Sequence, residues 1–185
     1  MQLKTDLSKY NNDWYKPGAT WLVRMIWYVF NWSFFISYCP FNFVKIFSLR
    51  MFGATVGKGV VLKPHINIKY PWRLSIGNYC WIGEAVWIDN LEDITIGDNC
   101  CISQGALLLC GNHNFKKSTF DLMTEKIVFE EGVWIGAKAI VCGGVVCKSH
   151  SVLTAGSVAS SSLEAYSVYQ GNPAVKIKDR EITSA

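Results

Sequence analysis

The side chain in this sequence best suited to acid–base chemistry is His113. It lies in the polar segment Gly-Asn-His-Asn at 111–114, where a ring can stand at the edge of a cleft among polar neighbours. An imidazole with its unperturbed pKa of about 6.5 can accept a proton from a hydroxyl or an amine near neutral pH. The other two histidines, His65 and His150, lie within a regular repeat, where a structural role is expected. His113 is therefore the candidate general base.

No residue stands in a motif typical of covalent catalysis or of a metal site. There is no Gly-x-Ser-x-Gly motif, and Cys110, although close to His113, continues the apolar run 106–109. The seven cysteines include no Cys-x-x-Cys pair, and no His-x-x-x-His pair occurs, so zinc-site spacing is missing. We expect no metal and direct transfer to an acceptor, with the cysteines as small core residues of a reduced protein. The polar residues 1–6 show no signal peptide, so the expected location is cytoplasmic.

A six-residue repeat predicts the elements that hold His113. An aliphatic residue opens each unit, Gly or a small polar residue tends to follow, and the fifth position is small. A period of two predicts a half-buried strand and 3.6 a helix, whereas six residues fit one short strand and a turn. Three units make a triangular coil, and stacked coils form parallel sheets. The opening residues are Val56, Leu62, Ile68, Ile76, Ile82, Ile88, Ile96, Ile102 and Leu108, then Ile135, Val141, Cys147, Leu153 and Ala159.

The repeat is interrupted at two places. The interval 88–96 has eight residues and begins with the polar pair Asp89 and Asn90. Later, residues 110–131 leave the repeat altogether and carry His113 near the start. Long loops inside a compact repeat are usually functional. We therefore expect one long inserted loop at 110–131 and a polar bulge at 89–90, both available to a site.

The residues before the repeat form a different region, 1–52. Residues 1–20 are polar and predict an irregular arm, and the aromatic-rich stretch 21–52 predicts two helices, roughly 19–37 and 41–52, separated by Pro40. The repeat itself occupies 53–165, and 166–185 form a tail.

Three interpretations of the stretch 21–52 are open. No charge occurs in the 20 residues 25–44, which satisfies the length criterion for a membrane span. Scattered Asn and Ser residues argue against a span, while Arg24, Lys45 and Arg50 at its two sides would suit a helix lying on a membrane surface. The third interpretation, which we favour, is packing on the solenoid or on a sister subunit.

Composition limits the remaining classes of protein. A length of 185 residues fits one domain. Half of the residues are apolar and 17% are charged, which excludes disorder and calls for a large core or a shared interface. The formal charge of +4 is mild, and no run of Lys and Arg is interleaved with aromatics, so no nucleic-acid partner is expected.

Together these motifs resemble the hexapeptide-repeat acyltransferases. The resemblance rests on the repeat, on Gly-Asn-His-Asn at 111–114, Val-Trp-Ile-Gly-Ala at 133–137, Ala-Gly-Ser-Val at 155–158 and Gly-Asn-Pro-Ala at 171–174. The arm at 6–18 and the aromatic helix after it resemble the colanic-acid-biosynthesis type of acetyltransferase. The resemblance covers nearly the whole chain. It implies an all-β, left-handed parallel β-helix, a homotrimer, and acetyl-CoA as donor in a groove between subunits.

The resemblance also implies roles for single residues. His113 matches the general base of the family. Related sugar acetyltransferases place an Asn before the histidine to hold the acceptor, for which Asp89, Asn90 and Asn112 are the candidates. Six further residues match donor-binding positions: Ala137 and Ala155 at the pantetheine arm, Ser160 and Ser161 where relatives have a Thr-Lys pair, and Lys176 and Lys178 near the tail cations that meet the CoA phosphates.

The predicted activity is transfer of an acetyl group from acetyl-CoA to a hydroxyl of a saccharide, in surface-polysaccharide biosynthesis. An amine on an amino-sugar nucleotide is the nearest alternative acceptor. A zinc hydrolyase on the same fold would need three converging histidines. A third alternative is a non-catalytic trimeric scaffold in which the aromatic helices act as a docking element.

Overall fold

The computed structural model describes residues 3–184. A short 3-10 turn, Leu7–Lys9, precedes helix α1 (Trp21–Phe30), which continues as a π-helical turn, Asn31–Phe35. Thr20 begins α1, because its hydroxyl accepts a hydrogen bond from the Val23 amide. Helix α2 spans Asn42–Met51. The two helices lie within the predicted ranges 19–37 and 41–52.

Nineteen strands follow in the described residues, joined in most cases by tight turns. In chain order they are β1 Thr55–Val56, β2 Val61–Leu62, β3 Asn67–Ile68, β4 Leu74–Ile76, β5 Trp81–Ile82, β6 Trp87–Asp89, β7 Ile94–Ile96, β8 Cys101–Ile102, β9 Leu107–Leu109, β10 Gly111–His113, β11 Leu122–Thr124, β12 Ile127–Phe129, β13 Trp134–Ile135, β14 Ile140–Cys142, β15 Val146–Cys147, β16 Val152–Leu153, β17 Val158–Ala159, β18 Ser167–Gly171 and β19 Ala174–Asp179.

The strands form a three-sided prism. Face 1 contains β1, β4, β7, β12 and β15; face 2 contains β2, β5, β8, β13, β16 and β18, with β19 at its edge; face 3 contains β3, β6, β9, β14 and β17. Neighbouring strands within each face are parallel, except β18 and β19. This architecture confirms the predicted parallel β-solenoid.

Side chains that open successive repeat units stack inside the prism. On face 1, Ile76 pairs with Ile96, Ile96 with Phe129, and Phe129 with Cys147. The small fifth-position side chains, among them Cys80 and Ala139, are buried beside them. A coil two residues wide on each face cannot bury these side chains alone, so the stacked coils share one continuous core.

The fourth position of the repeat turns the chain at each corner. Residues there repeatedly adopt left-handed backbone geometry, including His65 at φ 58° and His150 at φ 59°. Both histidines therefore occupy structural turns, as the repeat predicts. At Gly77, in position two of its unit, neighbouring coils approach closely, since a Cβ there would lie 2.7 Å from the Asp98 amide nitrogen. A glycine is needed where the backbones come so near.

The structure corrects two predicted boundaries. The solenoid resumes at Ile127, because β12 pairs with β7 and β15, so the insertion ends near residue 126 and not at 131. The predicted tail at 166–185 is also too long, since β18 (Ser167–Gly171) pairs in parallel with β16 and belongs to face 2. Both errors have one cause: Phe129 and Tyr169 replace the aliphatic residues that signal the repeat.

Helices α1 and α2 close the open edge of the first coil. Helix α2 packs on β1 and β2, and the π-helical turn packs on β3, so the helices cover strands of all three faces. Side chains satisfy the unpaired backbone groups: Asn42 donates to the Val60 carbonyl and accepts from the Leu62 amide, both at 2.8 Å. The buried Trp27 Nε1 donates to the Ile68 carbonyl at 2.9 Å. Unpaired strand edges invite aggregation, and these bonds remove the hazard.

Lys45 of α2 lies against the first coil. It is buried, and its Nζ donates to the Leu62 carbonyl at 3.4 Å and the Lys63 carbonyl at 2.9 Å. Burial lowers the pKa of the Lys45 ammonium. No helix within residues 3–184 has the length and apolarity that crossing a bilayer requires.

Candidate functional site

Three insertions lie above one another at the corner between faces 3 and 1. The intervals 68–76 and 88–96 each span eight residues, and the interval 108–129 holds the long insertion, whereas 141–147 returns to six. Sequence reasoning identified the second and third of these. It missed the first, although the eight-residue spacing from Ile68 to Ile76 was visible. The stacked insertions build a wall beside the solenoid.

The long insertion is held by a hairpin at its root. Strand β10 pairs antiparallel with β11, so that His113 lies opposite Leu122. The Glu125 amide then donates to the Cys110 carbonyl at 3.0 Å, which returns the chain to the solenoid. His113 is thus positioned by paired backbone and not by a free loop.

The ring of His113 is fixed on two sides. It stacks on Phe120 with centroids 4.4 Å apart and planes 9° from parallel. Its Nδ1 lies 2.9 Å from the Phe120 carbonyl oxygen. Because a carbonyl can only accept, Nδ1 carries the hydrogen and donates. In the neutral ring the lone pair is therefore on Nε2, which is free to accept a proton.

The N-terminal arm reaches the same place. The Asp6 amide donates to the Ser118 carbonyl at 2.8 Å, and the ring of Tyr10 lies 5.8 Å from that of His113. The Tyr15 hydroxyl donates to the Leu91 carbonyl at 2.6 Å, and burial raises the Tyr15 pKa. Sequence reasoning treated this arm as irregular and assigned it no role. The aromatics Tyr10 and Tyr15 in an otherwise polar stretch were the available signal.

A cavity of about 310 Å³ lies between the arm and the insertions. Two cations face it: Lys69, whose Nζ is 2.8 Å from an Asp89 carboxylate oxygen, and Arg24, whose Nε is buried without a hydrogen-bond partner in the described residues. The cavity therefore combines a fixed imidazole with aromatic rings and two cationic side chains. The lining residues are Tyr10, Asn12, Tyr15, Pro17, Arg24, Lys69, Tyr70, Leu91, His113 and Leu122.

The three candidate acceptor residues occupy different settings. Asn90 is fully buried, donates to the Tyr70 and Arg73 carbonyls at 2.6 and 3.2 Å, and accepts from the Tyr70 amide. Through these bonds, Asn90 joins the insertion at 88–96 to the insertion at 68–76. Its buried side chain is not accessible to an acceptor. Asp89 is buried in its ion pair with Lys69. Asn112 is exposed, and its side-chain oxygen accepts from the His113 amide at 2.7 Å.

The candidate donor-binding residues fall at two corners and one edge. Ala137 and Ala155 lie in stacked turns between faces 2 and 3, where the Gly156 amide donates to the Ala137 carbonyl at 2.8 Å. Ser160 and Ser161 are exposed at the opposite edge of face 3, the corner from which the His113 hairpin also leaves. His113 and the two alanines of one chain are thus separated by face 3.

Lys176 and Lys178 lie on β19. Lys176 pairs with Glu164 at 3.1 Å and Asp179 at 2.9 Å, and these carboxylates raise the pKa of its ammonium. Lys178 is exposed beside a cavity of about 800 Å³ between β19 and face 2. The structure therefore does not bring these lysines to the corner that carries His113.

Cys110 is poorly suited to act as a nucleophile. It is buried at the start of the insertion, and burial raises the pKa of its thiol to about 12. A thiol with such a pKa is almost entirely protonated near neutral pH, and the thiolate is the reactive form. Within residues 3–184, no three His, Cys, Asp or Glu side chains are arranged to hold a metal ion.

Comparison with known sequences shows the family. No family model matches the chain. A protein of Escherichia coli K12, named "Putative colanic acid biosynthesis acetyltransferase WcaF", is 40% identical over 136 residues, which cover 74% of this chain and 75% of the relative.

Solved structures share the fold at low identity. The hexapeptide-repeat acetyltransferase VCA0836 of Vibrio cholerae superimposes with a TM-score of 0.79 at 20% identity, over 87% of this chain and 92% of that one; it has also been crystallised with acetyl-CoA. A maltose O-acetyltransferase of Clostridium difficile 630 has a TM-score of 0.76 at 20% identity, covering 88% and 90%. The N-acyltransferase AntD of Bacillus cereus, in complex with dTDP and 3-hydroxybutyryl-CoA, has a TM-score of 0.63 at 22% identity, covering 70% and 73%.

Fold and sequence agree on the class of protein. The prism is a left-handed parallel β-helix, the fold of these solved structures. The chain belongs to the hexapeptide-repeat acetyltransferases.

Proposed function

We propose that this protein transfers an acetyl group from acetyl-CoA to a hydroxyl of a saccharide in surface-polysaccharide biosynthesis, with His113 as general base. The observation that carries the proposal is the bond from His113 Nδ1 to the Phe120 carbonyl, which leaves Nε2 as acceptor. The names of the relatives support the donor and the sugar acceptor. The buried thiol of Cys110 supports a mechanism without an acyl-enzyme.

The reaction then takes place in one direct transfer. Nε2 of His113 accepts the hydroxyl proton while the acceptor oxygen bonds to the thioester carbonyl carbon. Collapse of the tetrahedral intermediate breaks the carbon–sulfur bond, and the imidazolium returns its proton to the departing CoA sulfur. A base held at a fixed tautomer and orientation contributes typically about 10²–10⁴-fold to such a step.

The acceptor fits the cavity between the arm and the insertions. The guanidinium side chain of Arg24 lines the cavity as a hydrogen-bond donor, and the Tyr10 ring lies beside His113. Saccharides present hydroxyl acceptors and apolar ring faces, which such a donor and an aromatic side chain complement. Asn112 and Asp89 remain candidate acceptor contacts although neither lines this cavity, and Asp89 would first have to release Lys69. Asn90 shapes the wall through its bonds to the Tyr70 and Arg73 backbone.

The donor site requires a second chain, which supports a homotrimer. Ala137 and Ala155 lie along one edge of face 3, and His113, Ser160 and Ser161 along the other. Chains packed side by side would bring opposite edges together and form one groove from two subunits. Exposed tryptophans on the side faces, Trp81, Trp87 and Trp134, are the expected subunit contacts. Lys178 would meet the charged end of the donor, and Lys176 would have to exchange a carboxylate for a phosphate.

Replacing His113 with Ala tests the assignment. We expect turnover to fall by about 10²–10⁴-fold, with CoA binding by calorimetry and oligomeric mass unchanged, because the ring lies in the insertion beside Phe120 and Tyr10 and outside the solenoid core. Thiol release from acetyl-CoA with a panel of saccharides measures turnover. His150→Asn is the matched control, because Asn tolerates the left-handed backbone at that turn.

Three outcomes would decide against parts of the proposal. Undiminished turnover of the His113→Ala variant would show that His113 is not the general base. Preference for amino sugars over hydroxyl acceptors would replace O-transfer by N-transfer. Failure of the wild-type chain to bind CoA would favour a non-catalytic scaffold.

A further inference from the structure

The outer surface of the two helices is apolar and unpaired. We define the cap face by Trp21, Val29 and Trp32 of α1 and its π-helical turn, and Phe43, Phe47 and Met51 of α2. All six are more than half exposed, with Trp32 and Phe43 at 72% and Phe47 at 67%. Exposed aromatics at this density mark an interaction surface.

The cap face points away from the solenoid. The inward sides of both helices bind the first coil through Trp27, Asn42 and Lys45. Phe52 holds the helices side by side, with ring centroids 5.2 Å from both Trp27 and Phe30. The exposed sides of the two helices therefore form one surface across the end of the prism, apart from the three side faces.

The charge around this end has one sign. Residues 14–83 contain eight Lys or Arg residues and no Asp or Glu. The other 115 residues hold ten cations and all 14 acids, a net charge of −4. Of the eight cations, Lys69 and Arg73 pair with Asp89 and Glu92, and Lys45 is buried. Arg50, Lys58 and Lys63 therefore carry the exposed positive charge beside the helices.

We propose that the cap face binds the surface of an anionic lipid bilayer. Trp, Tyr and Phe side chains settle at the boundary between headgroups and acyl chains, and nearby Lys and Arg are attracted to anionic headgroups. A second copy fits the surface less well, because it would bring two acid-free segments together. Both helices would lie in the plane of the interface, with the solenoid outside it.

This orientation keeps His113 clear of the lipid. Coils are stacked at the strand spacing of about 4.8 Å, and His113 follows the third coil. It therefore lies about 10 Å beyond the first coil, on the side of the prism. The proposal concerns the helical end alone and does not depend on which group the enzyme acetylates.

Vesicle flotation of the full chain tests the proposal. We expect the protein to float with phosphatidylcholine vesicles that contain phosphatidylglycerol. Binding to pure phosphatidylcholine should be at least about tenfold weaker, because each cation near the bilayer adds to the attraction to anionic headgroups. High salt should weaken binding to the anionic vesicles. A wild-type chain that stays in the protein fraction with both vesicles would overturn the proposal.

Variants separate the apolar and the charged contributions. Trp32→Glu with Phe47→Glu should lower partitioning at least about tenfold, whereas Ile182→Glu, an equally drastic change at an exposed residue near the other terminus, should not. Lys58→Gln with Lys63→Gln should weaken binding to anionic vesicles only. Circular dichroism and thermal midpoints confirm folding of each variant.

Two results with the folded variants would reject the lipid assignment. Flotation of the Trp32→Glu, Phe47→Glu chain equal to wild type would exclude the cap face as the contact. A change in the oligomeric mass of that chain, measured by sedimentation in the absence of vesicles, would show instead that the face joins copies of the protein.

Discussion

The two ends of the solenoid are closed by different means. At the helical end, the first coil has no preceding strand, and side chains from α1 and α2 bond its backbone groups. At the other end, the backbone itself continues, since β18 extends face 2 and β19 folds back on it as an antiparallel strand. Arg180 completes this end by donating to the Gly132 and His150 carbonyls, both at 3.0 Å.

A solenoid end can thus be closed with or without creating a new surface. The hairpin adds one strand whose outer residues include Lys176, Lys178 and Asp179. The helices add a whole layer, whose inner side is used by the coil and whose outer side is aromatic. On β19 the exposed apolar residues Val175 and Ile177 alternate with charged ones, whereas the helices expose a continuous aromatic face, which requires a separate explanation.

The largest expected effect on stability is that of Asn42→Ala at the helical end. The change leaves the Val60 carbonyl and the Leu62 amide without partners. We expect the free energy of unfolding to fall by about 2–3 kcal/mol, measured by urea denaturation. Asn12→Ala, at an exposed position, is the matched control. A loss no greater than in that control would show that packing alone closes this end.

A smaller effect is expected from Arg180→Ala at the hairpin end. Its guanidinium bonds are partly exposed, and water can replace them, so the expected loss is about 1 kcal/mol. The same denaturation series measures it. If this loss exceeded that of Asn42→Ala, the hairpin end and not the helical end would depend more on side-chain bonds.

The smallest effect near neutral pH is expected from Lys45→Met. A buried ammonium costs desolvation energy that its two carbonyl partners partly offset, so an apolar replacement of similar length should change stability by less than about 1 kcal/mol. Burial lowers the folded-state pKa of Lys45 below its unfolded value of about 10.4. Between these values the unfolded chain binds more protons, so wild-type stability rises with pH.

The pH dependence makes this prediction specific. We expect the thermal midpoint of wild type to rise relative to that of Lys45→Met as the pH is raised from about 7 to about 10. If the difference between the two thermal midpoints stayed constant, or if the variant became relatively more stable as the pH rose, a lowered pKa of the buried lysine would be contradicted.

Much of the fold could be predicted because its signal is local and repeated. Ile76, Ile96 and the other opening residues recur at a spacing that neither helix nor ordinary strand produces. The prediction was inaccurate where the signal was weak: Phe129 opens a unit as an aromatic residue, so the insertion was assigned five residues too many. The burial of Lys45 is not visible in the sequence, because lysine is seldom fully buried.

The candidate site was predictable in part. The segment around His113 identified the candidate base, but Asn90, a candidate acceptor contact, instead bonds the backbone of the preceding insertion. The contacts of Tyr10 and Tyr15 with residues about 100 and 76 positions away were not predictable. No periodicity records such long-range contacts.

By itself, the sequence determined the parallel solenoid, its core ladders and the position of the histidine, because each repeat unit carries its own turn and its own buried side chains. The tertiary structure decided which nitrogen of His113 is free, since the Phe120 carbonyl reaches Nδ1 only when the hairpin closes. It also decided that the helices bind the first coil with one side and expose aromatics on the other. An almost uniformly apolar stretch does not specify its buried side until it has a surface to pack on.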